Sequence, residues 1–482
     1  MPSVVHKPPT REIAIASLPA RARVVLAWSQ SAWFAAVVSL WTAIVFTLPM
    51  DPDYTAGEML DHLLGWMETG LLYPALGQGP TLRVLNYPPL VPVLTRGLVE
   101  LGLTSLLAGR LMNTVGLLVL VGAVCAWARA RGSRGSELAG TVGLLAASYG
   151  VVYGAGQMHI ELWAVALTVG GFWLLASGAG RREAILGGLL LALACFAKQS
   201  QVVPALVAVA WAWRHRRPAA RPATAVFVIA GVLGCAAITI AWGLEPWRHM
   251  LTYTTGTYSL GNLGLQLLSH VAPWILLIGW VGIALARQRA VAATDALAWY
   301  WVASALWSLA AARIGSGYPY FLDLQVATVL WVGPRLFGTP LRRSWSWLLG
   351  LQVAGANLGA AGAAAFTLVA KRTAAAELPD ICSRFPSGGP VLTEEAGLAR
   401  ACGRNTLMHP FIMTSLATRG LWETASIEAA VRAGAYSPII LPFDPRAPGR
   451  IERERWTAGM LAAFRSAPQI SSVPGGLWEA RW

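Results

Sequence analysis

The chain has 482 residues, of which 56% are hydrophobic and only 12% charged, and it carries 23 Trp. Its repeated apolar runs of about 20 residues match the roughly 30 Å of hydrocarbon a helix must cross. A soluble core has no need of so many such runs, so the composition specifies a polytopic α-helical membrane protein. The formal net charge of +14 is accounted for by short basic loops facing the cytoplasm and anionic headgroups, without a nucleic-acid partner.

Residues 1–29 are polar and basic (Lys7, Arg11, Arg21, Arg23) and lead into a span-length apolar run with no small-residue cleavage site. They read as a cytoplasmic tail before an anchor. About eleven candidate spans follow, near 30–50, 105–128, 137–155, 160–178, 184–198, 200–213, 222–243, 265–286, 293–312, 320–338 and 345–369. Basic loops at Arg129–Arg134, Arg181-Arg182, Arg214–Arg221, Arg287–Arg289 and Arg342-Arg343 alternate with loops rich in acids, aromatics, Gly and Pro. This alternation predicts an inside N-terminus and an outside C-terminus. The pair 184–198 and 200–213 is short for two full crossings and reads as a hairpin that places Lys198 in the outer half of the membrane.

The first outside loop, 51–104, opens on Asp51-Pro52-Asp53-Tyr54, then Gly57-Glu58 and Asp61. Ala56, Met59, Leu60, Leu63, Leu64 and Met67 recur at helical spacing, with Glu58, Asp61, His62 and Gly65 on the other face. The pattern predicts an amphipathic interfacial helix. A second helix is expected after Asn86-Tyr87-Pro88-Pro89, since proline is tolerated in a first helical turn. With Arg96 and Glu100 on it, that helix is expected to lie on the membrane rather than cross it. From about 371 the composition changes. Pro390–Thr393 and Ser437–Leu441 read as buried strands, with helical patterns between them, so 371–482 is expected to form a small extracytoplasmic α/β domain. Cys125, Cys195 and Cys235 fall in apolar spans and read as core residues. Cys382 and Cys402 leave a disulfide open if their region is outside the cell. No cysteine pair has zinc-ligand spacing.

Carboxylates beside an apolar bundle are costly, and burial raises their pKa toward the range of a general base. Asp53 and Glu58 are the candidates for that role, and Asp51 is equally explained by a solvated loop. His159 and Glu161 open the span at 160–178, where dipole capping competes with a catalytic reading. Lys198, followed by Gln199, needs an anionic partner or must snorkel, and a phosphate suits an ammonium. Arg110 and Arg313 at span ends read either as headgroup anchors or as phosphate forks. Arg313 precedes a Gly/Tyr loop (Gly315-Ser316-Gly317-Tyr318-Pro319-Tyr320), and Asp323 falls inside the next span, where an aromatic belt alone would not put an acid.

The segments Gly57-Glu58…Asp61, Asn86–Leu90, Ala108–Leu111, Ile160–Leu162, Ala197–Ser200 and Gly315…Asp323 occur in an order that resembles the GT-C superfamily of glycosyltransferases. The likeness is to the bacterial mannosyl- and aminoarabinosyl-transferase branch and covers about 50–340. Pro52 stands where that family commonly has an acid directly after the first Asp, so the base stays open between Asp53 and Glu58.

The resemblance implies a sugar donor linked through phosphate to a polyprenyl lipid, and a glycan, lipid or protein acceptor outside the bacterial cytoplasmic membrane. It implies Asp53, Glu58 and Glu161 as catalytic carboxylates, one of them the general base, with Lys198, Arg110 and Arg313 holding the lipid phosphate. Asp61, His62, Tyr87, Gln199, Tyr318, Tyr320 and Asp323 are then expected to contact substrate. Direct displacement would invert the anomeric centre. A phosphate leaving group calls for cations more than for a strong acid. No cofactor is required. The carboxylates leave a divalent cation open, but no compact oxygen cage is readable and no metal site is assigned. A transporter or flippase would instead place its polar residues at the midplane on broken, repeated helices, and a mere scaffold would have no need of Lys198 or Asp323.

Overall fold

The computed structural model describes residues 19–51, 53–77, 81–178, 180–339, 343–386 and 388–482. Residues 1–18 of the expected tail, Pro52 and Arg342 lie outside the described residues.

The first helix, α1 (Ala20–Thr47), is apolar on all sides. A connecting segment carries α2 (Tyr54–Thr69) and α3 (Leu90–Glu100). Next come α4 (Ser105–Ala130), α5 (Gly135–Gly143), α6 (Tyr149–Gly154), α7 (Glu161–Ser177), α8 (Arg181–Ala197), α9 (Val202–His215) and α10 (Arg217–Trp242). The bundle is completed by α11 (Glu245–Trp247), α12 (Leu260–His270), α13 (Ile275–Arg287), α14 (Arg289–Thr294), α15 (Ala296–Ser308), α16 (Leu322–Gly338) and α17 (Arg343–Ala376).

All eleven expected spans contain helix, but their number is not established as eleven. Among the described residues four helices are long and apolar enough to cross a membrane: Ala20–Thr47, Ser105–Ala130, Arg217–Trp242 and Trp347–Ala376. A fifth is counted if Leu260–His270 and Ala272–Arg287, bent by 43°, form one span. The outward faces are apolar, as a lipid solvent demands; on α10, Val232, Leu233 and Ile240 are more than 60% exposed.

Inside, small residues let helices touch. A Cβ on Gly143 would lie 2.6 Å from the backbone of Gln30 and Ser31, the close approach that packing in lipid relies on. Beside that contact Gln30 donates to Gly143 O (3.0 Å) and exchanges two hydrogen bonds with Asn357 (3.0 and 3.1 Å). This satisfied polar clasp joins α1, α5 and α17, and each of its groups would be costly if left unpaired.

The C-terminal region packs against the segment between α1 and α4. Its helices are α18 (Leu378–Arg384), α19 (Ala396–Ala401), α20 (Pro410–Thr418), α21 (Ala425–Arg432), α22 (Arg450–Arg455) and α23 (Ala458–Arg465). Strands β1 (Ile439–Leu441), β2 (Gln469–Val473) and β3 (Leu477–Arg481) form an antiparallel sheet of order β1-β3-β2, with Ile440 and Ser471 both opposite Glu479. The expected strand at Ser437–Leu441 corresponds to β1. Pro390–Thr393 makes only single parallel bridges, Val391 to Thr406 and Thr393 to Ile440. Its extended chain meets two different partners and forms no ladder with either. Cys382 and Cys402 are disulfide-bonded.

The helix expected to lie in the interface with a wet polar face is covered on both sides. Met59, Leu60 and Leu63 of α2 bury against Leu85, Met112 and Met158. The opposite face meets α19 so closely that a Cβ on Gly57 would lie 2.6 Å from Gly397 N. Asp61, expected on the wet face, is fully buried there. It accepts from Arg83 Nε (2.8 Å), Arg400 Nε (2.5 Å) and Thr406 Oγ1 (2.7 Å), and lies 2.9 Å from His409 Nε2. Gly65 leaves room for the Arg83 guanidinium, which any side chain there would strike. Burial acts to raise the Asp61 pKa, but the His409 hydrogen bond and charge, with Arg83 and Arg400, hold it well below the carboxylate range.

Two consequences can be measured by thermal unfolding of the protein in detergent. Gly57→Val is expected to cost about 1–3 kcal/mol by overpacking the α2–α19 contact, whereas Gly97→Ala, with nothing within 4 Å, leaves the midpoint unchanged or raises it. Asp61→Asn leaves buried cations uncompensated and is expected to cost about 3–5 kcal/mol. Because the folded pKa of Asp61 is depressed, its stabilisation is present above the ordinary Asp value and is lost as pH falls through the folded one. The wild type should therefore lose stability more steeply than Asp61→Asn below about pH 4. Equal acid limbs would refute this account of Asp61.

Candidate active site

A cavity of about 640 Å³ opens where the bundle, the segment after α1 and the C-terminal region meet. Its first wall is the start of α2. Asp53 caps that helix, its Oδ2 accepting from Thr55 N (2.8 Å) and Ala56 N (3.1 Å), because free N–H groups at a helix start need an acceptor. Its Oδ1 accepts from Tyr153 OH (3.0 Å), and His159 Nε2 lies 3.4 Å from Oδ2. One turn along α2, Glu58 faces the cavity with Oε1 buried and, among the described residues, without a hydrogen-bond partner. Burial pushes the Glu58 carboxyl above its ordinary range, against the pull of His409, Tyr54 and Arg455.

The second wall is the turn into α7 and the break between α8 and α9. His159 Nδ1 lies 3.5 Å from Glu161 Oε2, and Lys198 Nζ donates to Glu161 Oε1 at 3.1 Å. Lys198 caps α8 in an extended conformation, and a 3₁₀ turn (Gln199–Gln201) follows before α9. This break turns the ammonium into the cavity, 6.0 Å from the Tyr320 ring. Gln199 donates to Asn86 O (2.8 Å) and so ties the turn to the segment that bears Tyr87.

The third wall is the loop from Arg313 to Tyr320. Gly315 has φ of 79°, and a side chain there would strike the Phe411 ring. Asn262 holds the loop by donating to Arg313 O at 2.7 Å. Arg313 approaches Gly256 so closely that a Cβ there would lie 2.8 Å from its Nε.

The C-terminal region supplies a fourth wall, which the sequence alone did not reveal. Arg455 lies 4.2 Å above the Tyr54 ring and pairs with buried Glu394; Arg450 pairs with Glu454 at 2.8 Å. Glu394 is 2% exposed and also accepts from Trp456 Nε1. No local spacing marks Tyr54, Tyr153, His409 or Arg455 as site residues. They are recruited by contacts between segments far apart in the chain.

Nine of the expected site residues therefore line one cavity: Asp53, Glu58, Tyr87, Glu161, Lys198, Gln199, Arg313, Tyr318 and Tyr320. Four do not. Arg110 is 3% exposed and is held by Asp51 Oδ1 (3.2 Å), Leu48 O (2.8 Å) and Met50 O (2.8 Å), so it fastens the exit of α1 instead of meeting a phosphate. Asp61 is engaged in the α2 clasp described above. His62 is buried beside it, its ring edge-on to His409 with centroids 4.6 Å apart. Asp323 lies within the bundle and accepts from Tyr300 OH (2.7 Å) and Gln201 Nε2 (3.0 Å), which satisfies both oxygens. Among the described residues no three His, Cys, Asp or Glu side chains converge as metal ligands.

No protein-family model matches the sequence, and no curated protein matches it. Solved structures do. ArnT from Cupriavidus metallidurans bound to undecaprenyl phosphate superposes with a TM-score of 0.60 at 13% identity, over 93% of this chain and 97% of that one. Its apo state gives 0.60 at 14% identity, over 96% and 98%. The archaeal oligosaccharyltransferase AglB from Archaeoglobus fulgidus, in complex with an inhibitory peptide and a dolichol-phosphate, gives 0.50 at 10% identity, over 94% and 75%. At these identities the likeness speaks of architecture alone: over nearly its whole length this chain has the fold of the ArnT structures.

Proposed function

We propose that this chain is a multi-pass membrane glycosyltransferase that moves a sugar from a polyprenyl-phosphate donor to an acceptor hydroxyl with inversion. The observation that carries this reading is the single cavity in which Asp53, Glu58 and Glu161 face Lys198 and Arg313. The donors' lipid phosphate has counterparts in the fold neighbours, whose structures hold undecaprenyl phosphate and a dolichol-phosphate.

Glu58 is the base in this scheme. Its Oε1 has no hydrogen-bond partner among the described residues, whereas the Asp53 oxygens are occupied by the α2 cap and Tyr153, and an acceptor already filled with donors takes a proton poorly. The acceptor O–H proton passes to Glu58 as the oxygen attacks C1. The C1–O bond to phosphate breaks, and its electron pair leaves on the phosphate. Lys198 and Arg313 neutralise the charge that develops there, in a site already arranged for it. Glu161 and His159 hold the Lys198 ammonium in place. The cavity opens to the outer face of the bacterial cytoplasmic membrane in this reading, with residues 371–482 as an extracytoplasmic domain. The alternation of basic and acidic loops supports that orientation.

Purified protein in lipid, given a panel of prenyl-phosphate sugars, is expected to release prenyl phosphate from at least one. Glu58→Gln should lower kcat about 10²–10⁴-fold and Lys198→Ala about 10²–10³-fold, with Asp53→Asn milder than Glu58→Gln. Full turnover in both Glu58→Gln and Lys198→Ala would remove this assignment.

A further inference from the structure

Two buried polar atoms, one on each side of the junction between α2 and the C-terminal region, lack hydrogen-bond partners among the described residues: Glu58 Oε1 and His409 Nδ1. They face each other at 3.9 Å. The other ring nitrogen, Nε2, lies 2.9 Å from Asp61 Oδ2. Asp61 is held as an anion by Arg83 and Arg400 and can only accept, so Nε2 carries the proton in that contact and Nδ1 is left as the free basic position. A gap of 3.9 Å is longer than a hydrogen bond, but the terminal torsion of a glutamate is soft enough to close it.

We propose that His409 is a positioning residue for Glu58: the imidazole anchored by Asp61 shares a proton with the Glu58 carboxyl, so the C-terminal region governs the protonation of a base carried by α2. This rests on the reading of Glu58 as base. In the transfer step the acceptor's proton moves to Glu58 as the new C1–O bond forms. It then passes to His409 Nδ1, giving an imidazolium paired with Asp61, and leaves to solvent after product departs. His409 is 1% exposed and does not line the cavity.

The charged and titratable groups around the pair are known. Asp53 faces it from the cap of α2, Tyr54, Asp61 and His62 from α2 itself, and Arg83 from the segment after it. Arg400 and Arg455 face it from the C-terminal region. Burial raises the Glu58 pKa, and a proton-free Nδ1 facing the carboxyl opposes that rise by offering its proton a second site. Removing the imidazole therefore leaves burial less opposed, and Glu58 ionises at higher pH.

The test is the pH dependence of kcat/KM for prenyl-phosphate release by the full chain in lipid, for wild type, His409→Gln and Glu58→Gln. The glutamine keeps a donor toward Asp61 but lacks a titrating nitrogen. The acid limb of His409→Gln is expected to move up by about 1–3 pH units. A fall in rate with the limb unmoved would show a merely structural histidine and overturn the proposal. In parallel, ¹⁵N-histidine spectra of the folded wild type and Glu58→Gln report the pair without turnover. The His409 Nδ1 resonance is expected to move when Glu58 becomes an amide, and an unchanged resonance overturns the coupling. Absence of transfer by the wild type, or full activity in Glu58→Gln, would instead defeat the functional reading, and the spectra would still decide whether the two side chains are coupled.

Discussion

The architecture of the site depends on one buried carboxylate. Asp61 is fully enclosed, and a lone ionised group in that position would be prohibitively expensive. It is tolerated because four donors converge on it, Arg83 from the connecting segment and Arg400, Thr406 and His409 from the C-terminal region. These directional hydrogen bonds tie the C-terminal region to α2. The same region places Phe411 against Gly315 and Arg455 over Tyr54. Two walls of the cavity are thus tied together by a residue that does not line it.

Charge within the cavity is arranged in series. Asp53, His159, Glu161 and Lys198 form a chain with separations of 3.1 to 3.5 Å, in which burial acts to lower the His159 pKa but the two carboxylates flanking it raise it. Each member restrains the next, so the ammonium at the far end is oriented before any substrate arrives. Arrangement in advance matters in a low-dielectric site, where dipoles and charges that need not reorganise lower a barrier most. Glu58 stands outside this chain, and its free oxygen is what separates it from Asp53.

Much of this was legible in the sequence because membrane helices announce themselves by composition. Apolar runs mark the bundle, and a lysine or a Gly/Tyr loop beside such runs has few structural explanations, so Lys198, Arg313 and Tyr320 stood out. Arg110, Asp61 and Asp323 stood out for the same reason, yet each is engaged by a partner elsewhere in the chain: an ion pair with Asp51 for Arg110, one with Arg400 for Asp61, and a hydrogen bond from Tyr300 for Asp323. Burial of a charge is visible in sequence, while the identity of its partner is a tertiary fact. The C-terminal contribution was hidden for a related reason. His409 and Arg455 lie in a region of ordinary soluble composition, where a histidine or arginine is unremarkable until the fold brings it to α2. The span count also escaped, because α7, α15 and the α5–α6 pair are short or broken in ways that hydropathy alone does not resolve.

The bond between Asp61 and His409 joins residues 348 positions apart. During synthesis the first helices enter the bilayer long before His409 leaves the ribosome. A nascent chain that has already threaded its lysine and its first carboxylates into the membrane still lacks the surface that encloses them. The cavity is therefore completed only once the C-terminal region has been made, and connectivity alone fixes that order.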